Sequence, residues 1–384
     1  MTVAAPIPVS VLTGFLGAGK TTLLNRLLKD PAMADTAVII NEFGDVAIDH
    51  LLVEQASDGV IQLSDGCLCC TVRGELVDTL ADLVDRLQTG RIARLARVVI
   101  ETTGLADPAP VLQAIMGHPA LAQAYRLDGV VTLVDAINGA KALDDHVEAV
   151  KQVAMADRIV LTKTDIEPAP AALRRRLDAL NPRAAVIAAS APGALAASLL
   201  SCGLYDPATK TADVGRWLGE EAAHDHHDHD HHHGHEHDHH HDHNGHGHGG
   251  HHRHDSRIRS LSLRHDGPLP YSAIETFLDI LLSTQGDNLL RLKGIVELAE
   301  DPSRPLVVHA VQRLLHPPAR LAAWPDDERG TRLVVIAIDV AEDYVRRLFS
   351  AIAGQPAVDA PDRAALEANP LAIAGFSGSP TRRG

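Results

Sequence analysis

The first part of the chain alternates short, continuous apolar runs with longer stretches in which apolar residues recur at helical spacing. Such runs are typical of strands buried on both faces, and the longer stretches predict amphipathic helices. Strands are predicted at Val9–Thr13, Thr36–Ile40, Val60–Leu63, Arg97–Ile100, Gly129–Val134, Arg158–Leu161 and Ala185–Ala188. Helices are predicted at Thr22–Lys29, Arg73–Thr89, Ala109–Ile115, Asp144–Met155 and Pro170–Leu180. This alternation predicts an α/β domain with a mainly parallel sheet.

A second pattern begins after a stretch that is rich in histidine. Strands are predicted at Arg257–Leu263, Arg291–Leu298, Leu306–Val311 and Arg332–Ile338, with helices at Tyr271–Leu282 and Ala341–Ile352. This order predicts a smaller α+β domain. We therefore expect four parts: a first domain at 1–215, a linker at 216–255, a C-terminal domain at 256–354 and a loose tail at 355–384.

The linker has an unusual composition. From His224 to His254, 18 of 31 residues are histidine and six are acidic, so the segment cannot bury a core and is predicted to be disordered. Neutral imidazole is a good ligand for Zn²⁺, Ni²⁺, Co²⁺ and Cu²⁺, which predicts weak and reversible binding of several transition metal ions. The alternative is a solvated linker without a metal-binding role.

Net charge, apolar runs and cysteine content indicate which partners and which cellular compartment to expect. The 384 residues carry a net charge of −15, which argues against nucleic acid and anionic lipid as partners. We find no apolar run of transmembrane length and no basic signal region, so a cytoplasmic protein is predicted. Three of the four cysteines are Cys67, Cys69 and Cys70, and in a reducing compartment such a cluster is more typical of metal binding than of disulfides.

The strongest motif is the run from Gly14 to Thr22, which fits G-x-x-x-x-G-K-[ST], the phosphate-binding loop of a P-loop NTPase. Its glycines let backbone N–H groups close around phosphates, Lys20 places a cation on the β- and γ-phosphate oxygens, and the Thr21 hydroxyl is placed to ligate Mg²⁺. A strand is predicted before the motif and a helix after it, as the loop requires. The predicted nucleotide contacts here are Gly14, Gly17, Ala18, Gly19, Lys20, Thr21 and Thr22.

Two later strand ends indicate which nucleotide binds. Glu101 ends an apolar strand and Gly104 follows it, so the acid can hold Mg²⁺ through water and the glycine N–H can reach the γ-phosphate. Thr162-Lys163-Thr164-Asp165 follows another strand. The Asp165 carboxylate can accept both N–H donors on the guanine edge, a pair that adenine lacks, and Lys163 can cover the base. This favours GTP over the competing hypothesis of a small-molecule kinase that uses ATP.

The cysteine cluster forms the motif Gly66-Cys67-Leu68-Cys69-Cys70. Thiolates are soft ligands for Zn²⁺ and Cu⁺, and this run can supply two or three of them from one loop. A fourth ligand has to come from Glu42, water or another protein, and such an open site suits a metal that must leave. From the residues alone, Glu42 and Asp45 are either metal ligands or solvated loop acids.

In this order, the motifs G-F-L-G-A-G-K-T-T, I-N-E-F-G, G-C-L-C-C, E-T-T-G-L-A-D-P and L-T-K-T-D resemble the CobW family of metallochaperone GTPases. The resemblance extends to that family's C-terminal domain through R-L-K-G and T-R-L-V. It implies GTP hydrolysis coupled to delivery of a metal, most often zinc, to a client metalloprotein. Carried over by motif, Lys20, Thr21 and Glu101 serve catalysis, Lys163 and Asp165 take the base, and Cys67, Cys69, Cys70 and Glu42 hold the metal. One departure is Thr162, where the family commonly has an Asn that braces the phosphate loop.

The resemblance also suggests a mechanism and leaves alternatives open. The γ-phosphate and Mg²⁺ would order the loop that contains Glu42 and thereby complete or shield the cysteine site, and hydrolysis to GDP would reverse this. Co²⁺ and Ni²⁺ are alternatives to Zn²⁺ as the bound metal. One alternative function is a cobalt chaperone for cobalamin synthesis or nitrile hydratase, and another is a histidine-rich metal-storage protein with a vestigial GTPase. A homodimer is a further alternative for the assembly.

Overall fold

The structure is a computed structural model, and it describes residues 6–40, 61–63, 72–182, 184–191, 196–200, 202, 257–325 and 327–354. Two sheets organise these residues, one in the first part of the chain and one after residue 257. The described ranges contain no helix that is long and apolar enough to cross a membrane.

The first sheet is parallel and has seven strands in the order β3-β2-β4-β1-β5-β6-β7. The strands are β1 (Ile7–Gly14), β2 (Thr36–Ile40), β3 (Ile61–Leu63), β4 (Arg97–Glu101), β5 (Tyr125–Asp135), β6 (Arg158–Thr162) and β7 (Ala185–Ala188). The central strand β1 lies between β4 and β5, with Leu12 in register with Glu101 and Val131. Parallel pairing therefore brings the carboxyl ends of β1, β4, β5 and β6 to one edge of the sheet.

Helices cover both faces of this sheet, as the pattern predicts for buried parallel strands. They are α1 (Lys20–Leu27), α2 (Val72–Gln88), α3 (Ala109–Gly117), α4 (Pro119–Ala124), α5 (Gly139–Asp145), α6 (Val147–Ala154), α7 (Ala171–Leu180) and α8 (Ala196–Leu200). Leu24 of α1 and Leu199 of α8 belong to the core on one face. Leu80 of α2 and Val150 of α6 belong to the core on the other face. The predicted α/β fold is confirmed.

One predicted helix is divided. The expectation was a single helix over Asp144–Met155, but α5 ends at Asp145 and α6 begins at Val147. Between them His146 is extended, with φ −135° and ψ 117°. Its ring stacks on Phe15 of the phosphate loop, with centroids 4.4 Å apart. The break thus coincides with a contact between residues that are distant in sequence, which no local pattern reveals.

The second sheet is antiparallel, with the order β11-β10-β9-β13-β8 and with β12 paired to β10. Its strands are β8 (Ile258–His265), β9 (Leu289–Leu298), β10 (Asp301–Val311), β11 (Leu314–Leu315), β12 (Ala319–Arg320) and β13 (Thr331–Ile338). Two helices, α9 (Tyr271–Gln285) and α10 (Glu342–Ile352), pack on one face, where Phe277 and Phe349 meet edge to face at 5.2 Å. This arrangement confirms the predicted smaller α+β fold.

The other face of the second sheet packs against the first domain. Ile295 and Val307 belong to the same apolar core as Ile115 of α3. A buried ion pair lies in this contact, because Arg291 of β9 donates to Asp157 at 2.7 Å and Lys293 also contacts that carboxylate. Arg291 additionally donates to the carbonyl oxygen of Met155, which follows α6. The two domains therefore share both apolar and charged contacts.

Candidate nucleotide site

The phosphate loop lies between β1 and α1, at the edge where the parallel strands end. Gly14 has φ +146°, and a Cβ there would lie 2.6 Å from the carbonyl oxygen of Leu133 on β5, so this position requires glycine. Gly17 and Gly19 also have positive φ, and Ala18 is buried between them. The Lys20 ammonium donates to the Gly14 carbonyl oxygen at 3.0 Å, which holds it over the loop. Helix α1 begins at Lys20 and includes Thr21 and Thr22, so its N-terminus faces the loop and favours an anion there.

Thr21 and Glu101 form the acidic corner of the site. The Thr21 hydroxyl donates to Glu101 Oε1 at 3.1 Å, and Glu101 is 5% exposed at the end of β4. Glu101 ends β4, and Thr21 lies in the helix that follows β1. Because β1 and β4 are neighbours in the sheet, these two residues meet although they are 80 positions apart in sequence. A hydroxyl and a carboxylate are hard oxygen ligands of the kind that Mg²⁺ prefers, so the donor set fits this ion.

The loop after β4 lies directly against the phosphate loop. The Thr102 hydroxyl donates to the Thr13 hydroxyl at 2.8 Å. A Cβ on Gly104 would lie 2.6 Å from the backbone nitrogen of Leu16, so the two loops touch at that point and a side chain is excluded. Gly104 therefore lies beside the phosphate loop, and its backbone N–H is the group that the sequence predicts to reach the γ-phosphate.

The predicted base-binding residues follow β6. Lys163 has φ +57°, a left-handed conformation that is uncommon outside glycine. Its ammonium donates to Asp135 Oδ2 at 2.7 Å. Burial alone raises the pKa of Asp135, but hydrogen bonds from Lys163, Asn138 and backbone amides outweigh burial and lower it. Asp165 is exposed in the following turn, which leaves its carboxylate accessible to a ligand.

One hydrogen bond joins this turn to the loop after β7, and a second joins that loop to α1. The Thr164 hydroxyl lies 2.7 Å from the Ser190 hydroxyl, in the loop after β7. Arg26 of α1 donates to the carbonyl oxygen of Ala189 in that same loop. These bonds connect the segments that follow β6 and β7 with helix α1, next to the turn that contains Asp165.

Thr162 braces the phosphate loop. Its hydroxyl donates to the Ala18 carbonyl oxygen at 2.8 Å from the end of β6. This is the position at which the sequence departs from the common asparagine of the resembled family. The threonine hydroxyl thus reaches the loop carbonyl directly.

A cavity of about 280 Å³ lies between the phosphate loop and helices α5 and α6. Its lining includes Phe15, Leu16, His146, Gln152 and Lys163. Sequence reasoning missed Gln152, which is 1% exposed and donates from Nε2 to the carbonyl oxygens of Gly104 and Ala106. The one feature of the sequence that could have indicated this role is a polar residue between the apolar Val150 and Val153 of a short helix.

The predicted metal ligands Cys67, Cys69, Cys70 and Glu42 lie outside the described residues, as does the histidine tract. Within the ranges that the structure does describe, no group of three or more His, Cys, Asp or Glu side chains is placed to hold a metal ion. The fourth cysteine, Cys202, is partly buried, and burial raises the pKa of its thiol to about 12. A thiol of this kind is a poor metal ligand because the thiolate is the binding form.

Comparison with known proteins identifies relatives for nearly the whole chain. Residues 8–188 match the family model for the CobW/HypB/UreG nucleotide-binding domain, and residues 258–353 match the cobalamin synthesis protein cobW C-terminal domain. The chain is 35% identical over 347 residues to the zinc chaperone YjiA of Escherichia coli (strain K12), covering 90% of this chain and 99% of that protein. It is 31% identical over 378 residues to the zinc chaperone CobW of a Sinorhizobium species, covering 90% and 97% respectively. The crystal structure of a zinc-bound triple mutant of the YjiA GTPase gives a TM-score of 0.63 at 31% identity, covering 91% and 99%.

Proposed function

Because this chain belongs to the CobW family, with both its nucleotide-binding and its C-terminal domain, we propose that it is a GTP-hydrolysing metallochaperone. In this proposal the protein binds Zn²⁺ at its C-x-C-C motif and transfers it to a client metalloprotein under the control of GTP. The names of the relatives support zinc and GTP as the two ligands.

The geometry that carries the nucleotide proposal is the meeting of three groups at one sheet edge. These are the phosphate loop with Lys20, the Thr21–Glu101 corner and the turn with Lys163 and Asp165. They follow strands β1, β4 and β6, whose carboxyl ends lie at the same edge of the sheet, where open α/β sheets bind their ligands. The arrangement provides donors for phosphates, an oxygen corner for a divalent cation and an acceptor for a guanine edge.

Each group has a defined task in hydrolysis. Lys20 and the amides of the loop bind the phosphates and stabilise the charge that develops on the γ-phosphoryl oxygens. Thr21 and Glu101 would hold Mg²⁺, and a bound Mg²⁺ would neutralise part of the negative charge of the phosphates. Gly104 offers a backbone amide beside the loop, and Asp165 accepts from the guanine ring. The sequence shows no obvious arginine finger. We therefore expect the intrinsic rate of GTP hydrolysis to be slow, and we expect metal or a client protein to accelerate it.

The metal half of the proposal rests on the chemistry of the sequence. Cys67, Cys69 and Cys70 would supply soft thiolates, and Glu42, which follows β2 in the sequence, would help to hold the metal. The histidine tract would hold further ions weakly and supply them to the cysteine loop. Zn²⁺ is favoured over Co²⁺ or Ni²⁺ because both full-length relatives compared above are named zinc chaperones.

Nucleotide choice gives the direct experiment for this proposal. The native protein should bind and hydrolyse GTP in preference to ATP. Asp165→Asn should weaken GTP binding and improve the binding of xanthosine triphosphate, whose edge has an acceptor where guanine has a donor. Asp178→Asn is a matched control, because Asp178 is an exposed acid on α7. If ATP binds the native protein as tightly as GTP, the guanine assignment is wrong.

A further inference from the structure

Two neighbouring side chains of α6 hold the loop that follows β4. The Gln152 amide Nε2 donates to the carbonyl oxygen of Gly104 at 3.1 Å and to that of Ala106 at 3.0 Å. The Lys151 ammonium contacts the Asp107 carboxylate at 3.1 Å. One helix therefore contacts three positions of a four-residue segment of that loop.

The held segment is the part of the loop nearest the phosphate loop. A side-chain atom on Gly104 would overlap Leu16, which shows that the two backbones are in contact. Gln152 donates to the carbonyl oxygens of Gly104 and Ala106, so its hydrogen bonds fix the orientation of the peptide groups to which these oxygens belong. A loop placed by these bonds keeps its amide donor at a fixed distance from the phosphate loop.

Helix α6 is itself fixed at its C-terminal end. The Thr132 hydroxyl of β5 donates to the backbone carbonyl oxygen of Gln152 at 2.7 Å. Beyond the helix, the carbonyl oxygen of Met155 accepts from Arg291 of the second domain, and Asp157 accepts from Arg291 at 2.7 Å. The helix cannot shift without breaking buried hydrogen bonds, and so it provides a rigid support for the loop.

We propose that Gln152 and Lys151 are positioning residues for recognition of the γ-phosphate. Gln152 acts through Gly104, whose amide it places beside the phosphate loop, and Lys151 acts through Asp107. The inference rests on the proposed function, because it requires that the ligand be GTP. Its specific consequence is that the two residues stabilise the triphosphate state and not the diphosphate state, since GDP lacks the group that the loop meets.

The test compares two nucleotides on the full-length protein. The affinities of GDP and of a non-hydrolysable GTP analogue are measured for the native protein, Gln152→Glu, Gln152→Met and Lys151→Met. Glutamate keeps the size of the side chain but replaces both hydrogen bonds by repulsion between a carboxylate and two carbonyl oxygens. We expect GDP affinity to stay within about twofold, and analogue affinity to fall about tenfold in Gln152→Glu, the equivalent of ~1.4 kcal/mol. Lys151→Met should change the same ratio by a smaller factor.

Controls separate this role from a structural one. Gln88 is an exposed glutamine at the end of α2, and Gln88→Glu should leave both affinities unchanged. A purely structural role would lower both affinities together, so an unchanged ratio in the folded Gln152 variants overturns the proposal. If those variants do not fold, an unchanged ratio in Lys151→Met overturns it, because that residue lies at the rim of the same contact. A native protein that binds neither nucleotide refutes the proposed function instead.

Discussion

The hydroxyl of Thr162 donates a hydrogen bond of 2.8 Å to the carbonyl oxygen of Ala18 in the phosphate loop. We predict that Thr162→Val weakens GTP and GDP alike by about fivefold, because a neutral hydrogen bond is worth about 1 kcal/mol and the loop carbonyl loses its donor. Isothermal titration with both nucleotides measures this. Thr162→Ser keeps the hydroxyl and should bind as the native protein does. Native affinity in Thr162→Val would show that the brace has no role in binding.

The domain contact gives a prediction about stability. Asp157 and Arg291 are 5% and 3% exposed, and Asp157 is also the partner of Lys293. Asp157→Asn leaves two buried cations without their carboxylate. We expect the free energy of unfolding to fall by about 3–5 kcal/mol, because a buried charge that has lost its partner is no longer compensated for its loss of hydration. Thermal unfolding of the full-length protein reports the loss as a lower midpoint.

An exposed ion pair provides the control for that variant. Arg313 and Asp287 are 58% and 74% exposed in the second domain, so Asp287→Asn should change the unfolding midpoint very little. If the two variants unfold at the same temperature, the buried pair does not secure the domain contact.

His309 predicts a pH dependence of stability. Its ring accepts from Arg291 at 3.3 Å. Burial first, and then the charges of Arg291, Lys293 and His316, lower the pKa of His309 well below 6.5. Between its ordinary and its lowered pKa, the unfolded chain binds a proton that the folded chain does not, so stability falls as the pH drops below about 6.5. The slope is at most about 1.4 kcal/mol per pH unit for this group.

The variant His309→Gln keeps an acceptor for Arg291 and does not titrate. Its unfolding midpoint should therefore depend less on pH between about pH 5 and 6.5 than the native midpoint does. His118→Gln, which changes an exposed histidine, should retain the native slope. A native slope in His309→Gln would assign the acid sensitivity to other groups, of which His316 is the first to test because burial lowers its pKa too.

The sequence predicts the sheet well because a strand buried on both faces is a continuous apolar run. The strands Thr36–Ile40 and Ala185–Ala188 have the predicted bounds, and the others differ by a few residues at their ends. The break at His146 could not be predicted, since it accompanies stacking on Phe15, a residue more than 100 positions away. Local spacing describes neighbours on one helix and contains no information about such partners.

The candidate site shows the same division. Lys20, Thr21 and Glu101 follow from motifs whose spacing is fixed by a strand, a loop and a helix. Gln152 belongs to no motif, and its role depends on which loop its helix lies against. Arg291 and Lys293 belong to the R-L-K-G motif that carries the family resemblance, but their pairing with Asp157 depends on the arrangement of two domains. Contacts between distant segments are thus the part that sequence patterns leave out.

The proposed function requires that the bound nucleotide control how tightly the protein holds zinc. Zinc affinity should be measured by competition with a chelator, once with a non-hydrolysable GTP analogue bound and once with GDP bound. We predict that the two affinities differ by at least about fivefold, that zinc changes the analogue's affinity by the same factor, and that Cys69→Ala abolishes most of the difference. Equal zinc affinity in the two nucleotide states would contradict the account.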